Sequence, residues 1–268
     1  MLRHTNKELL ATKYYGSQDK LVLRKTYNSF IEPRTSLDKD LIKEVLEFKP
    51  KKVLDIGCGN GDFLIGLRKS GFSGELTGLE LSKGILSPGI KQNEKEKLNI
   101  DFIVGDAESL PFGKEVFDVV IAKHMLYHLP NIQLGVDEAL RVLKKGGVYF
   151  VTLNCKDNNP QLTEAEHLIC KKYGLSTTHG KDLISEIEIG KYLTKFGKIE
   201  YFVRKGQMNR SDLFAGYFAS FRDNYEPEPD DKTWAKIMLD IKEFVENKTK
   251  KEGAFIEKRS NVMITAIK

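Results

Sequence analysis

The chain is poor in cysteine. Cys58, Cys155 and Cys170 are its only three in 268 residues, and they show no metal-type spacing. That argues against a disulfide framework and against any metal site, and it suits a reducing cytosol. Long apolar runs are also missing: no stretch approaches the ~18 residues that a membrane-spanning helix needs. The opening MLRHTNKELLATKYYG has no sustained apolar segment followed by a small-residue cleavage site, so it does not read as a secretory signal. The expected location is therefore cytoplasmic. Charge of one sign is lacking as well. The 43 basic and 38 acidic residues are interspersed, the net charge is only +5, and no Lys/Arg stripe stands out. Such a pattern is a solvated surface and argues against a nucleic-acid partner. There is no internal repeat and no low-complexity tract.

What is present is a core-forming chain, 40% hydrophobic and 30% charged. Residues 1–35 are polar with aromatic punctuation and predict one or two short helices, a lid. Ser36 is placed to cap a helix in LDKDLIKEVLEF, whose Leu37, Leu41, Ile42, Val45 and Leu46 share a face. Then strands and helices alternate. KKVLDI, GELTGLEL, DFIVGD, FDVVIA and GVYFVTLN read as strands. GDFLIGLRKSG and IQLGVDEALRVLKKGG read as helices, each stopped by glycine. SKGILSPGIKQNEKEKL is helical, with Pro88-Gly89 expected to interrupt it. Alternation of this kind predicts a doubly wound α/β fold, a parallel sheet covered on both faces. The core is expected over 36–155. Residues 156–268 form a C-terminal part with an acceptor cap: two helices around GLSTTHGK, a strand at KIEYFVR, helices at SDLFAGYFASF and DKTWAKIMLDIKEFVENKTKK, and a closing strand or hairpin at the end.

The chemistry is concentrated in VLDIGCGNGDFL. Gly57, Gly59 and Gly61 alternate where a strand stops and a helix starts. Glycine weakens both elements, so the backbone there needs a close approach or a conformation that side chains forbid. A dinucleotide fingerprint carries its third glycine one place later, where this chain has Asp62. An acid at the helix start is unsuited to a pyrophosphate and favours a nucleoside with a positive or zwitterionic group. Asp55, Glu80 and Asp106 close three consecutive strands. At the carboxyl edge of such a sheet Glu80 is placed to accept from ribose hydroxyls. Asp106 is placed to accept from an adenine amino group, with the Ala107 N–H donating to a ring nitrogen and Leu81 against the adenine face.

These motifs resemble those of class I S-adenosylmethionine-dependent methyltransferases. VLDIGCGNG, LTGLELS, GDAESLPF, FDVVIAKHMLYHL and RVLKKGGVYFV match in order and spacing across residues 53–151. The wording SLPF, FDVV and LYHL is similar to the small-molecule branch that includes quinone-biosynthesis enzymes. The resemblance implies a Rossmann-like, mostly parallel seven-stranded sheet with N-terminal helices and a C-terminal helical cap. It implies S-adenosyl-L-methionine as cofactor and a small-molecule methyl acceptor. It places Gly57, Cys58, Gly59 and Gly61 against the methionine portion and Asp55 beside its amino group. The Lys123 carbonyl falls close to that same group.

Two regions are candidates for the acceptor side. In KHMLYHL, His124 is the first candidate for a general base or positioning group and His128 the second, on one face if the segment is helical. Tyr14, Tyr15 and Arg24 are candidates to close over the cofactor, with Arg24 available to a carboxylate. Phe214, Tyr217, Phe218 and Phe221 stand at helical spacing, which fits core packing better than a substrate box. Methylation of oxygen or nitrogen, an RNA acceptor, and a non-catalytic binding module are the readings weighed.

Overall fold

The structure is a computed structural model that describes residues 6–9, 19–32, 36–177, 184–185 and 187–268. Nine strands occur among them: β1 (Lys52–Ile56), β2 (Glu75–Glu80), β3 (Ile100–Val104), β4 (Phe117–Lys123), β5 (Leu143–Asn154), β6 (Ser176–Thr177), β7 (Lys198–Met208), β8 (Tyr225–Glu226) and β9 (Glu257–Ile267). Seven of them form one sheet in the order β3-β2-β1-β4-β5-β9-β7. The first five in that order run parallel, and β9 is antiparallel to both β5 and β7. This is the doubly wound, mostly parallel seven-stranded sheet expected. Strand order reverses between β1 and β4, and ligands of such sheets bind beyond the carboxyl ends of the strands at that point.

The central strands read as continuous apolar runs because both faces are covered. Leu54, Ile56, Val120 and Ala122 enter one core, and Val53, Val119 and Ile121 enter the other. Asp118, in the middle of FDVV, serves the fold. Its carboxylate accepts from the N–H groups of Lys51 and Lys52 and pairs with Lys144.

Nine α-helices occur among the described residues: α1 (Lys7–Leu9), α2 (Asp19–Asn28), α3 (Leu37–Phe48), α4 (Asp62–Lys69), α5 (Lys83–Glu96), α6 (Ile132–Val142), α7 (Pro160–Tyr173), α8 (Ser211–Ala219) and α9 (Asp231–Glu252). A third core ties α2, α7, α8 and α9 into a cap through Tyr27, Leu162, Phe214, Phe218, Ile237 and Phe255. The aromatic stripe of α8 is thus core, with Phe214, Tyr217, Phe218 and Phe221 all buried. No helix among the described residues is long and apolar enough to cross a membrane.

Several local expectations are corrected. Helix α5 runs unbroken through Pro88. A proline there removes one bond in the second turn, while burial of Ile85, Leu86 and Gly89 holds the helix. Gly89 is needed because a Cβ would stand 2.2 Å from the Asn60 carbonyl oxygen. Ser36 sits at the start of α3, yet its side chain makes no cap. Helix α6 ends at Val142, short of Gly146, because the Arg141 and Val142 carbonyls accept from Glu115 and Val116 and the next residues join the sheet. Where the second helix is expected after α7, the described residues form a 3-10 turn, Glu188–Lys191. The closing segment, expected as a strand or hairpin, is the strand β9.

Candidate cofactor and acceptor site

The glycine loop is pinned to β2. The N–H groups of Gly57 and Cys58 both donate to the Leu79 carbonyl, at 2.7 and 3.1 Å. The Gly59 N–H donates to Glu80 Oε2 at 3.0 Å, and the Ser82 N–H donates to Oε1 at 2.9 Å. One carboxylate therefore links the loop to the start of α5. Burial pushes the Glu80 carboxyl up, and these main-chain donors pull it back.

All three loop glycines have positive φ, at 67°, 59° and 75°. Their surroundings differ. A Cβ on Gly57 would meet Met125 at 2.9 Å, and one on Gly61 would meet the Phe102 ring at 2.5 Å. On Gly59 it would have only Ile85, at 3.9 Å. Packing therefore demands glycine at two positions, while the third leaves its backbone bare to a ligand. Asp55 is 1% exposed, and neither carboxylate oxygen has a donor. Burial raises its pKa to about 7. Lys123 opposes that rise, and Asp38 and Glu80 add to it. Two orphaned buried oxygens beside a bare loop fit a cationic or zwitterionic ligand.

Leu81 is half-buried beside Glu80, and Ala107 is buried after β3. Asp106 Oδ1 accepts from the Glu108 N–H, while Oδ2 pairs with Lys7, which also pairs with Glu108. A cationic donor from α1 thus already rests on the carboxylate expected to receive an adenine amino group. Cys58 is buried, and burial raises its thiol well above the ordinary range, so it stays an unreactive thiol. The Lys123 ammonium pairs with Asp38 of α3, leaving its carbonyl at the end of β4.

The segment after β4 is not a helix shared by the two histidines. The His124 N–H donates to the Thr152 carbonyl at 2.9 Å, prolonging the β4–β5 pairing. Its φ of 52° then turns the chain into a 3-10 turn, Leu126–His128. Burial lowers the His124 pKa to about 4, helped by the charges of Lys123 and Arg259. The imidazole is neutral at pH 7 and able to accept a proton. His128 lies in the turn, edge-on to the Tyr127 ring at 4.6 Å.

The structure brings together Asp55, the glycine loop, Glu80, Leu81, Asp106, Ala107 and the end of β4. It does not bring Arg24 to them. That guanidinium donates to the Ser220 hydroxyl and carbonyl and lies 4.3 Å from the Phe221 ring centroid, so it joins α2 to α8. Tyr14 and Tyr15 lie outside the described residues. Two polar residues at this edge escaped the reading of the sequence: Lys7, in an unpatterned segment, and Arg259, inside an apparent closing strand.

A family model described as a methyltransferase domain matches residues 47–198, more than half of the chain. The demethylmenaquinone methyltransferase of Staphylococcus carnosus is 38% identical over 111 residues, 41% of this chain and 46% of that relative. The chain thus spans less than half the length of the curated relatives it matches. Among solved structures, the [4+2]-cyclase SpnF superposes with a TM-score of 0.60 at 18% identity, covering 97% of this chain and 96% of that one. Phosphoethanolamine N-methyltransferase 2 of Haemonchus contortus, bound to S-adenosylhomocysteine, superposes with a TM-score of 0.59 at 19% identity, covering all of this chain and 60% of that one.

Proposed function

Because the chain belongs to the class I S-adenosylmethionine-dependent methyltransferases, we propose that it moves a methyl group from S-adenosylmethionine to an oxygen or nitrogen of a small metabolite. The observation that carries this reading is the set of acids Asp55, Glu80 and Asp106 around a glycine loop in which Gly59, alone of the three, has room for a side chain. Asp55 and the loop would hold the methionine portion, Glu80 the ribose, and Asp106 with Ala107 the adenine. When bound, the donor supplies an already activated methyl, since its leaving group is a neutral thioether.

The protein's part is then geometry and exclusion of water. The acceptor would lie over β4 and β5, roofed by α2 and α8. His124, neutral and at the end of β4, would accept the acceptor's proton or orient its nucleophilic atom. Three free cysteines support action in the cytoplasm.

Calorimetry with S-adenosylhomocysteine tests the cofactor site. Incubation with a methyl-labelled donor and either a metabolite extract or total RNA tests the acceptor class. Label in the metabolites is expected. A fold shared with a cyclase does not by itself establish transfer, so cofactor binding without label in either sample would refute it.

A further inference from the structure

Arg259 is a buried cation whose guanidinium is only partly hydrogen-bonded. It is 7% exposed and lies near the start of β9. Because β9 is antiparallel to its neighbours, its first residues stand at the carboxyl end of the parallel strands. Asn154 at the end of β5 pairs with Asn261, and the Cys155 N–H donates to the Ser260 carbonyl. Arg259 is therefore on the β5 side of the switch point, with His124, whereas Glu80 and Asp106 are on the β2–β3 side.

The guanidinium donates to the side-chain oxygens of Asn159, at the start of α7, and Asn28, at the end of α2. Nε has no partner. Nor has the hydroxyl of Tyr27, a residue 1% exposed. The Tyr27 and Tyr217 rings stack at 4.3 Å, and the Arg259 Cζ lies 5.7 and 5.0 Å from their centroids. Among the described residues no carboxylate stands within ion-pair distance of Arg259. Glu257 feels its charge, but the Glu257 oxygens accept from the N–H groups of Gln161, Leu162 and Lys258.

An arginine does not escape burial by losing its proton. Amide oxygens and ring faces offset only part of the cost of a buried charge. Glu257 offsets part of that charge through space but makes no bond to the guanidinium, so Nε and the Tyr27 hydroxyl still call for an acceptor, and a planar fork suits a carboxylate. We propose that Arg259 and the Tyr27 hydroxyl bind a carboxylate of the methyl acceptor, so that this chain methylates an acidic small metabolite. The inference rests on the methyl-transfer reading above and names its substrate class. It also gives to Arg259 the anion recognition that the sequence offered for Arg24, whose guanidinium is engaged by Ser220.

The test uses the full chain saturated with S-adenosylhomocysteine, titrated calorimetrically with benzoate and with its uncharged counterpart benzamide. Cofactor affinity is measured first on every variant, so a failure of the methyl-donor reading shows itself separately. Benzoate is expected to bind at least tenfold tighter than benzamide. In Arg259→Met that preference should fall below twofold, in Arg259→Lys it should survive in part, and Tyr27→Phe should weaken benzoate severalfold. If Arg259→Met does not fold, the wild-type comparison and Tyr27→Phe decide. Equal binding of acid and amide by the cofactor-loaded wild type, or a preference that persists in folded Arg259→Met, overturns the proposal.

Discussion

Replacing Asp55 by Asn should strengthen the fold and weaken the cofactor site. Burial lifts the Asp55 pKa from 3.8 to about 7. Between those values the folded protein holds a proton that the unfolded chain has lost. Stability of the cofactor-free protein therefore falls as pH rises from about 4 to about 7, then levels off. About three pH units at 1.36 kcal/mol each cap the loss at roughly 4 kcal/mol. Relaxation of the folded protein around the charge reduces it, so about 2–4 kcal/mol is expected. Asn is neutral throughout. Asp55→Asn should then match wild type near pH 4 and exceed it by about 2–4 kcal/mol near pH 8, read by urea denaturation. Cofactor binding runs the other way. The ammonium of S-adenosylhomocysteine favours the ionised carboxylate, so wild-type affinity should climb with pH by up to about tenfold per unit below 7 and plateau above. Asp55→Asn should bind about tenfold or more weakly at pH 8, with a flat profile. Stability curves of wild type and mutant that run parallel from pH 4 to 8 would refute the reasoning, because Asp55 would then not be the group that holds the proton.

Glu80→Ala removes the acceptor of two main-chain donors and of the expected ribose bonds; affinity for S-adenosylhomocysteine should fall at least tenfold, from charge-assisted bonds of ~1.5–3 kcal/mol each. A 2′-deoxy analogue should lose less in the mutant than in wild type, and equal losses would count against the ribose role. Gly59→Val and Gly61→Ala should separate binding from folding. The first should stay folded at a backbone cost of about 1–3 kcal/mol and lose cofactor binding, whereas the second meets Phe102 and should chiefly lower the melting temperature. An unchanged affinity in folded Gly59→Val sinks the cofactor assignment. His124→Ala should lower kcat by ~10²–10⁴ if the residue is a general base. Because burial depresses its pKa to about 4, the wild-type rate should be flat in this limb from pH 5 to 8. A limb near the ordinary imidazole value of about 6.5 that vanishes in the mutant would contradict the half-buried, neutral ring.

Whatever depends on neighbours along the chain could be read before any fold was known. Apolar runs such as FDVVIA are legible as buried parallel strands because burial on both faces removes polar alternation. The three loop glycines mark a turn because no other residue adopts those φ values so cheaply, and the acids at 55, 80 and 106 are placed as soon as the strands are. What depends on partners far away in the chain emerged only with the fold. Gly57 and Gly61 serve packing against Met125 and Phe102, so only Gly59 remains open, and no local pattern distinguishes the three. The end of α6 and the course of the chain after β4 follow main-chain bonds to other strands, which outweigh helix propensity. Lys7 meets Asp106 across 99 positions, and Arg259 meets Asn28 across 231. Arg24 and Arg259 look alike in the sequence, one in a lid and one in a strand. Folding puts the first on Ser220 at the cap and the second, with its Nε unpaired, at the carboxyl edge of the sheet. The reason is physical: periodicity reports what each segment buries, while the fate of a single charge depends on which distant groups surround it.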